Sequence, residues 1–202
     1  GKVIVATEDK EIMTAVEKCG GKVILTGKHN TGTDRIFEAF QKLKTKDVDY
    51  VLNLQGDEPM IDPKDIINLN NLMIKNNSEI GTLASVIKDN TILNNENVVK
   101  VITKEKLEKN SFTKAINFSR KNLSKQNSNI YHHIGIYAYK VSVLEKFINL
   151  NQTKNEIENH LEQLRALDNN ITIMVALAKS SPIGVDTKED FLAIKKIMEY
   201  KT

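Results

Sequence analysis

Cysteine is almost missing from this 202-residue chain, where Cys19 stands alone. No disulfide framework and no thiolate metal site can be built from one residue, and a reducing cytoplasm fits. Cys19 precedes Gly20-Gly21, which places it at a helix end, read as buried. Long apolar runs are also missing. None approaches the ~20 residues of a membrane span and no signal peptide opens the chain, so no membrane partner is expected. Charge of one sign is not gathered: 29 Lys and Arg face 26 Asp and Glu, for a net +3. A nucleic-acid surface would cluster its cations on one face, so no nucleic-acid partner is expected either. A mild positive balance still suits anionic small molecules. The chain has no internal repeat and no long linker. It opens inside a strand-like run, Gly1-Lys2-Val3-Ile4-Val5-Ala6-Thr7, without an initiator Met, and reads as a chain whose start lies upstream.

What is present reads as a soluble α/β domain, with 40% hydrophobic and 27% charged residues. Val3 to Thr7 reads as a strand and Asp9 to Cys19 as a helix with Ile12, Met13, Val16 and Cys19 on one face. Lys22 to Thr26 is a short strand, and Thr33 to Leu43 a helix. Tyr50 to Leu54 is apolar enough for a strand covered on both faces. Asp62-Pro63 opens a helix to about Asn77, carrying Ile66, Ile67, Leu69, Leu72 and Met73 inward. Such alternation predicts βαβ units and a doubly wound, mostly parallel sheet. After Gly81 the strands Thr82–Val86, Val98–Ile102, Ala115–Phe118 and Ile134–Tyr139 follow with few helices between them. That pattern predicts an antiparallel excursion over 98–140. Lys121 to Asn129 is a polar loop. Helices are expected over Val141–Leu150 and Glu156–Leu167, and a late strand over Ile171–Ala178. A last helix opens at Thr187, with Asp190 completing its capping box. Ile134, Ile136, Val141 and Leu144 read as an apolar edge with too little polar cover, which points to a dimer.

Four constellations carry chemistry. Gln55-Gly56-Asp57-Glu58-Pro59 puts an amide, a flexible backbone and two carboxylates at the carboxyl end of a buried strand, where open α/β sheets hold their ligands. Asp186 follows Gly184-Val185 in a similar setting. Asp57 and Asp186 together have the chemistry that Mg²⁺ takes beside substrate phosphates, and a capping role beside Thr187 stays open for Asp186. Thr31-Gly32-Thr33 enters a helix and offers free N–H groups to a nucleotide base or phosphate. Arg35 then sits against the helix dipole in the first turn. Arg120 ends one strand and His133 begins another, and such a pair can hold the carboxylate of an acidic substrate. His132 and His133 point to opposite faces of a strand, so they do not share a metal ion. His160-Leu161-Glu162-Gln163-Leu164-Arg165 reads, on spacing alone, as a helix flank with Glu162 and Gln163 in solvent.

The segments VATEDKEI, TGTDR, VLNLQGDEPMI, VVKVIT, NFSR, HHIGIYAY, HLEQLRAL and PIGVDTKEDF span nearly the whole chain. In this order they resemble the 3-deoxy-manno-octulosonate (Kdo) cytidylyltransferase family. The resemblance implies a Rossmann-like nucleotidyltransferase domain over 1–202, lacking an N-terminal strand and phosphate loop that would precede Gly1. The antiparallel excursion would then serve sugar binding and dimerisation. It implies transfer of CMP from CTP to Kdo with release of pyrophosphate, assisted by Mg²⁺, in a cytoplasmic homodimer that feeds lipopolysaccharide synthesis. By motif, Asp57 and Asp186 become the metal carboxylates and, with Arg35, the catalytic residues. Thr31, Gly32, Thr33, Gln55 and Asp57 meet the nucleotide. Arg120, His133, Tyr137, Glu162 and Gln163, with Arg35, surround the sugar acid. Another acidic-sugar cytidylyltransferase and an inactive nucleotide-binding homologue stay open.

Overall fold

The computed structural model describes residues 1–121, 129–179, 184–185 and 187–199. Strand β1 (Val5–Thr7) leads into helix α1 (Lys10–Lys18), and β2 (Val23–Leu25) returns parallel to β1. Asp9 caps α1 by accepting from the N–H groups of Glu11 and Ile12. The helix closes as the glycines predict. Gly21 N–H reaches Val16 O, Gly20 N–H reaches Glu17 O, and Gly20 takes φ +74°. The expected burial of Cys19 is corrected: it is exposed, α1 buries none of its residues, and Ile12 is 48% exposed. Among the described residues β1 and β2 form a separate two-stranded sheet, too small to cover an amphipathic helix.

Helix α2 (Gly32–Leu43), strand β3 (Tyr50–Asn53) and helix α3 (Pro63–Asn76) follow. Pro63 stands in the first turn of α3, and Asp62 caps it from Lys64 N–H. Leu69, Leu72 and Met73 are buried, but Ile67 is 58% exposed, because it lies one position off their stripe. Next come β4 (Ile80–Ser85), α4 (Asn90–Asn94), β5 (Lys100–Thr103), β6 (Phe112–Ser119) and β7 (Ile130–Lys140). The expected polar loop falls on 122–128, outside the described residues. Then α5 (Val141–Ile148), α6 (Lys154–Asn159), α7 (Gln163–Asp168), β8 (Ile173–Leu177) and α8 (Lys188–Glu199) complete the chain. Thr187 and Asp190 exchange the expected bonds at the start of α8, with Asp190 N–H donating to Thr187 Oγ1 and Thr187 N–H to Asp190 Oδ2.

The large sheet runs β3-β7-β4-β8-β6-β5. It is mixed. β4 and β8 pair in parallel at its centre, whereas β7 enters antiparallel between β3 and β4. A mostly parallel sheet is therefore corrected. The buried, two-sided apolar character that marks a parallel strand also fits β7, which is enclosed on both faces. Strand β5 hydrogen-bonds both β6 and β7, so five strands close into a ring. Two apolar clusters flank the sheet. Phe118, Tyr139, Leu144, Phe147 and Leu164 lie on one side with α2, α5 and α7, and Leu69, Met73, Leu83, Ile134 and Ile136 lie on the other with α3. Ile134, Ile136 and Leu144 are at most 1% exposed and Val141 is half-buried. Their apolarity serves this chain's own core, and the edge expected from them is corrected.

Candidate active site

The site starts where β3 ends. Asn53 is buried, and its Oδ1 accepts the Gln55 amide at 3.0 Å. The chain then turns, with Glu58 N–H on Gln55 O at 3.2 Å, which leaves the Asp57 side chain exposed. The Gln55 amide lies against Gly32. A β-carbon at position 32 would stand 2.6 Å from Gln55 Nε2, so only glycine permits this approach. The acidic turn and the Thr31–Thr33 loop are thereby brought into contact.

Thr31 caps α2, with Asp34 N–H on its Oγ1 at 3.1 Å. Thr33 is buried and donates its hydroxyl to Glu162 Oε2 at 2.7 Å. Here the single helix expected over Glu156–Leu167 is corrected. His160 takes φ 51° and ends α6, and α7 then starts at Gln163 with Glu162 at its N-cap position. That break turns Glu162 from a helix flank toward Thr33. Burial pushes its carboxyl above the ordinary range, while Thr33 and Arg165 pull it back. Behind it, Glu156 and Arg165 form a buried two-point ion pair, with Arg165 Nε on Glu156 Oε2 at 2.8 Å. Arg165 also sits 4.8 Å over the Phe147 ring and 3.7 Å from Glu162 Oε1. Gln163 is half-buried as the first residue of α7.

His133 lies in a deformed stretch of β7. The register against β4 slips between Thr82 and Leu83, an irregularity that frees main-chain carbonyls. Thr82 Oγ1 donates to Ile136 O at 2.7 Å and meets His133 Nε2 at 3.0 Å. A hydroxyl has one proton. With that proton on Ile136 O, Nε2 of His133 is the donor to Thr82 and Nδ1 is an acceptor. Burial, reinforced by His132 and Arg120, pushes the His133 pKa down to about 3. The ring is therefore neutral and cannot offer a charge to a carboxylate. Phe118 packs edge-on at 5.2 Å, and Tyr137 lies at 5.4 Å on the other side. Tyr137 continues to Tyr139, and Tyr139 to Phe147. The Tyr137 hydroxyl is buried with no hydrogen-bond partner among the described residues.

Arg120, just beyond β6, is half-buried and donates Nη1 to Asn97 O at 2.8 Å. Arg35 is different. It faces Glu8 at 3.4 Å, one turn into α2. Asp186 lies outside the described residues. Its neighbour Val185 donates N–H to Asp57 O at 2.8 Å, so the segment leading to it is fastened on the acidic turn. A cavity of about 630 Å³ separates that turn from α8, with Asp57, Val185, Phe191 and Met198 on its wall. The described part of this turn offers carboxylate and carbonyl oxygen, a donor set that fits a hard cation such as Mg²⁺. Thus Gln55, Gly32, Thr33, Glu162, Tyr137, His133 and Arg120 form one continuous stretch, and Asp57 flanks it. Sequence reasoning missed Asn53, Thr82 and Arg165. Thr82 had a signal, a polar residue inside a buried strand.

A capped helix entrance facing an acidic turn at the end of a sheet strand is a setting suited to a nucleotide. The fold is shared with apo UDP-glucose pyrophosphorylase, with a TM-score of 0.63 at 15% identity, covering 95% of this chain and 68% of that one. The chain belongs to the cytidylyltransferase family, whose model matches residues 1–173. It is 42% identical to 3-deoxy-manno-octulosonate cytidylyltransferase of Thermodesulfovibrio yellowstonii over 98% of this chain and 81% of the relative. The solved structure of CMP:2-keto-3-deoxy-manno-octonic acid synthetase complexed with CTP superposes with a TM-score of 0.89 at 32% identity, over 100% of this chain and 82% of that one.

Proposed function

We propose that this chain transfers CMP from CTP to Kdo and releases pyrophosphate. The observation that carries the reading is the contact of Gln55 with Gly32, which sets the acidic turn against the α2 entrance in a chain 42% identical to a Kdo cytidylyltransferase. The N–H groups at Thr31–Thr33 face the cytosine, and the Gln55 amide orients the nucleotide against the sugar. Arg120 takes the sugar carboxylate with its fork. Neutral His133 accepts a sugar hydroxyl at Nδ1, Tyr137 donates its buried hydroxyl, and Glu162 accepts another sugar hydroxyl. Gln163 adds a polar contact beside Glu162. In the reaction the anomeric hydroxyl oxygen bonds to the α-phosphorus of CTP as the bond to pyrophosphate breaks. Arg35 adds positive charge near the nucleotide. Asp57 and Asp186 would hold Mg²⁺, which supplies charge neutralisation on the phosphates when bound. Two copies associating in a cytoplasm and supplying lipopolysaccharide synthesis complete the reading, on the family resemblance.

Pyrophosphate release with CTP and Kdo, beside CTP and a sialic acid, tests it. Release with Kdo is expected. Release only with the sialic acid would make it another acidic-sugar enzyme, and release with neither an inactive homologue. Asp57→Asn keeps the shape and removes the charge, so kcat should fall by roughly 10²-fold or more. An unchanged kcat at saturating Mg²⁺ would remove Asp57 from the metal site.

A further inference from the structure

Lys100 is fully buried on β5, the one lysine so placed among the described residues. Its ammonium has two main-chain partners. It donates to Asn95 O at 2.9 Å and to Arg120 O at 2.6 Å. The Asn95 turn is the same one that holds the Arg120 side chain, through Asn97 O at 2.8 Å. That turn is itself closed by Val98 N–H on Asn95 O and by Asn97 N–H on Asn95 Oδ1. One buried cation therefore joins the backbone of Arg120 to the turn that aims its guanidinium. The register extends the point. Lys100 stands opposite Ser119 on β6 and opposite His132 on β7. Each of these precedes one sugar-site residue, Arg120 or His133.

We propose that Lys100 is a positioning residue for Arg120, fixing the guanidinium for the carboxylate of the sugar acid. The proposal rests on the reading that Arg120 receives that carboxylate. A buried ammonium is desolvated and needs partners. Carbonyl oxygens supply them, the Glu96 carboxylate nearby favours the charge, and the two carbonyls hold both ends of the Arg120 anchor at a fixed distance. An apolar residue of the same length would fill the space and release both carbonyls, leaving Arg120 to swing on its own rotamers. Lys100 touches no substrate, so its loss acts on sugar binding and leaves the nucleotide side alone.

The test is a cycle of Lys100→Met, Arg120→Met and the double variant in the intact enzyme, read as KM for Kdo, KM for CTP and kcat. Arg120→Met is expected to raise KM for Kdo by about 10²-fold, and Lys100→Met by about tenfold, the scale of one charge-assisted hydrogen bond. KM for CTP should stay within about twofold in both, a difference too small for one lost hydrogen bond. In the Arg120→Met background Lys100→Met should add nothing. Lys100→Gln, which keeps one donor, gives the same comparison where Lys100→Met does not fold. Additive effects in the double variant, or an equal rise in KM for CTP, would overturn the positioning role while leaving Arg120 at the carboxylate. An unchanged KM for Kdo in Arg120→Met would instead overturn the reading of Arg120, and the proposal with it.

Discussion

His133 is held neutral, and that has a measurable energy. Its pKa falls from 6.5 to about 3, chiefly through burial, with His132 and Arg120 adding positive charge nearby. In the unfolded chain the imidazole titrates near its ordinary value. Between pH 6.5 and about 3 the unfolded chain thus carries a proton that the folded chain does not. Stability rises with pH wherever the unfolded state binds more protons, so acid destabilises the fold through this group. At pH 5 the unfolded imidazole lies about 1.5 units below its pKa, and the native ring is still neutral. The loss relative to pH 7 is then about 2 kcal/mol from His133 alone, at 1.36 kcal/mol per unit. Urea unfolding of the wild type and of His133→Gln, each at pH 7 and pH 5, isolates the term, because other groups titrate in both proteins. The wild type should lose about 2 kcal/mol more than the variant between the two conditions. Equal losses, within about 0.5 kcal/mol, would mean that His133 carries its proton in the fold. The neutral-acceptor role given to Nδ1 would then be wrong.

Two further outcomes follow from the packing. Glu156→Gln removes the two-point countercharge of buried Arg165 and leaves it only Glu162 at 3.7 Å, which costs up to about 3 kcal/mol, or roughly 6–12 °C in Tm for a chain of this size. Glu156→Leu with Arg165→Met should recover most of that loss, and a single variant within about 2 °C of wild type would show the pair to be solvated. Gly32→Ala drives a methyl group into the Gln55 amide. Because the amide is the far end of a flexible side chain, stability should change by less than about 1 kcal/mol while KM for CTP rises about tenfold. An unchanged nucleotide KM would separate Gln55 from the base-binding loop.

Much of the scaffold was legible because its signals are local. Asp62-Pro63 starts α3, Gly20-Gly21 ends α1, and Thr187 with Asp190 opens α8, each through bonds within a few residues. The Gln55–Pro59 turn was legible for the same reason. Glu162 was not, since the left-handed His160 that redirects it interrupts an otherwise continuous helical spacing. Arg120 was placed correctly as the end of a strand, but its anchor is not adjacent in sequence. Lys100 and Asn97 come from 20 and 23 positions away. The apolar residues read as a dimer edge failed for a different reason. An enclosed antiparallel strand and an exposed sticky edge share one composition, and only the pairing of β7 with β3 and β4 separates them.

That pairing also bears on how the chain comes to be folded. Among the described residues β3 hydrogen-bonds only β7, and β7 begins at Ile130, 77 positions after Asn53. At about 5–20 residues per second of synthesis, roughly 4–15 s pass between the emergence of the two. Through that interval β3 and β4 have no β7 between them. The apolar face of α3 meets β4 early but lacks Ile134 and Ile136 of β7, which complete its cluster. A strand that arrives late and is inserted in the middle cannot be added to a finished edge. The acidic turn at the end of β3 is therefore held in the sheet only once β7 has been synthesised.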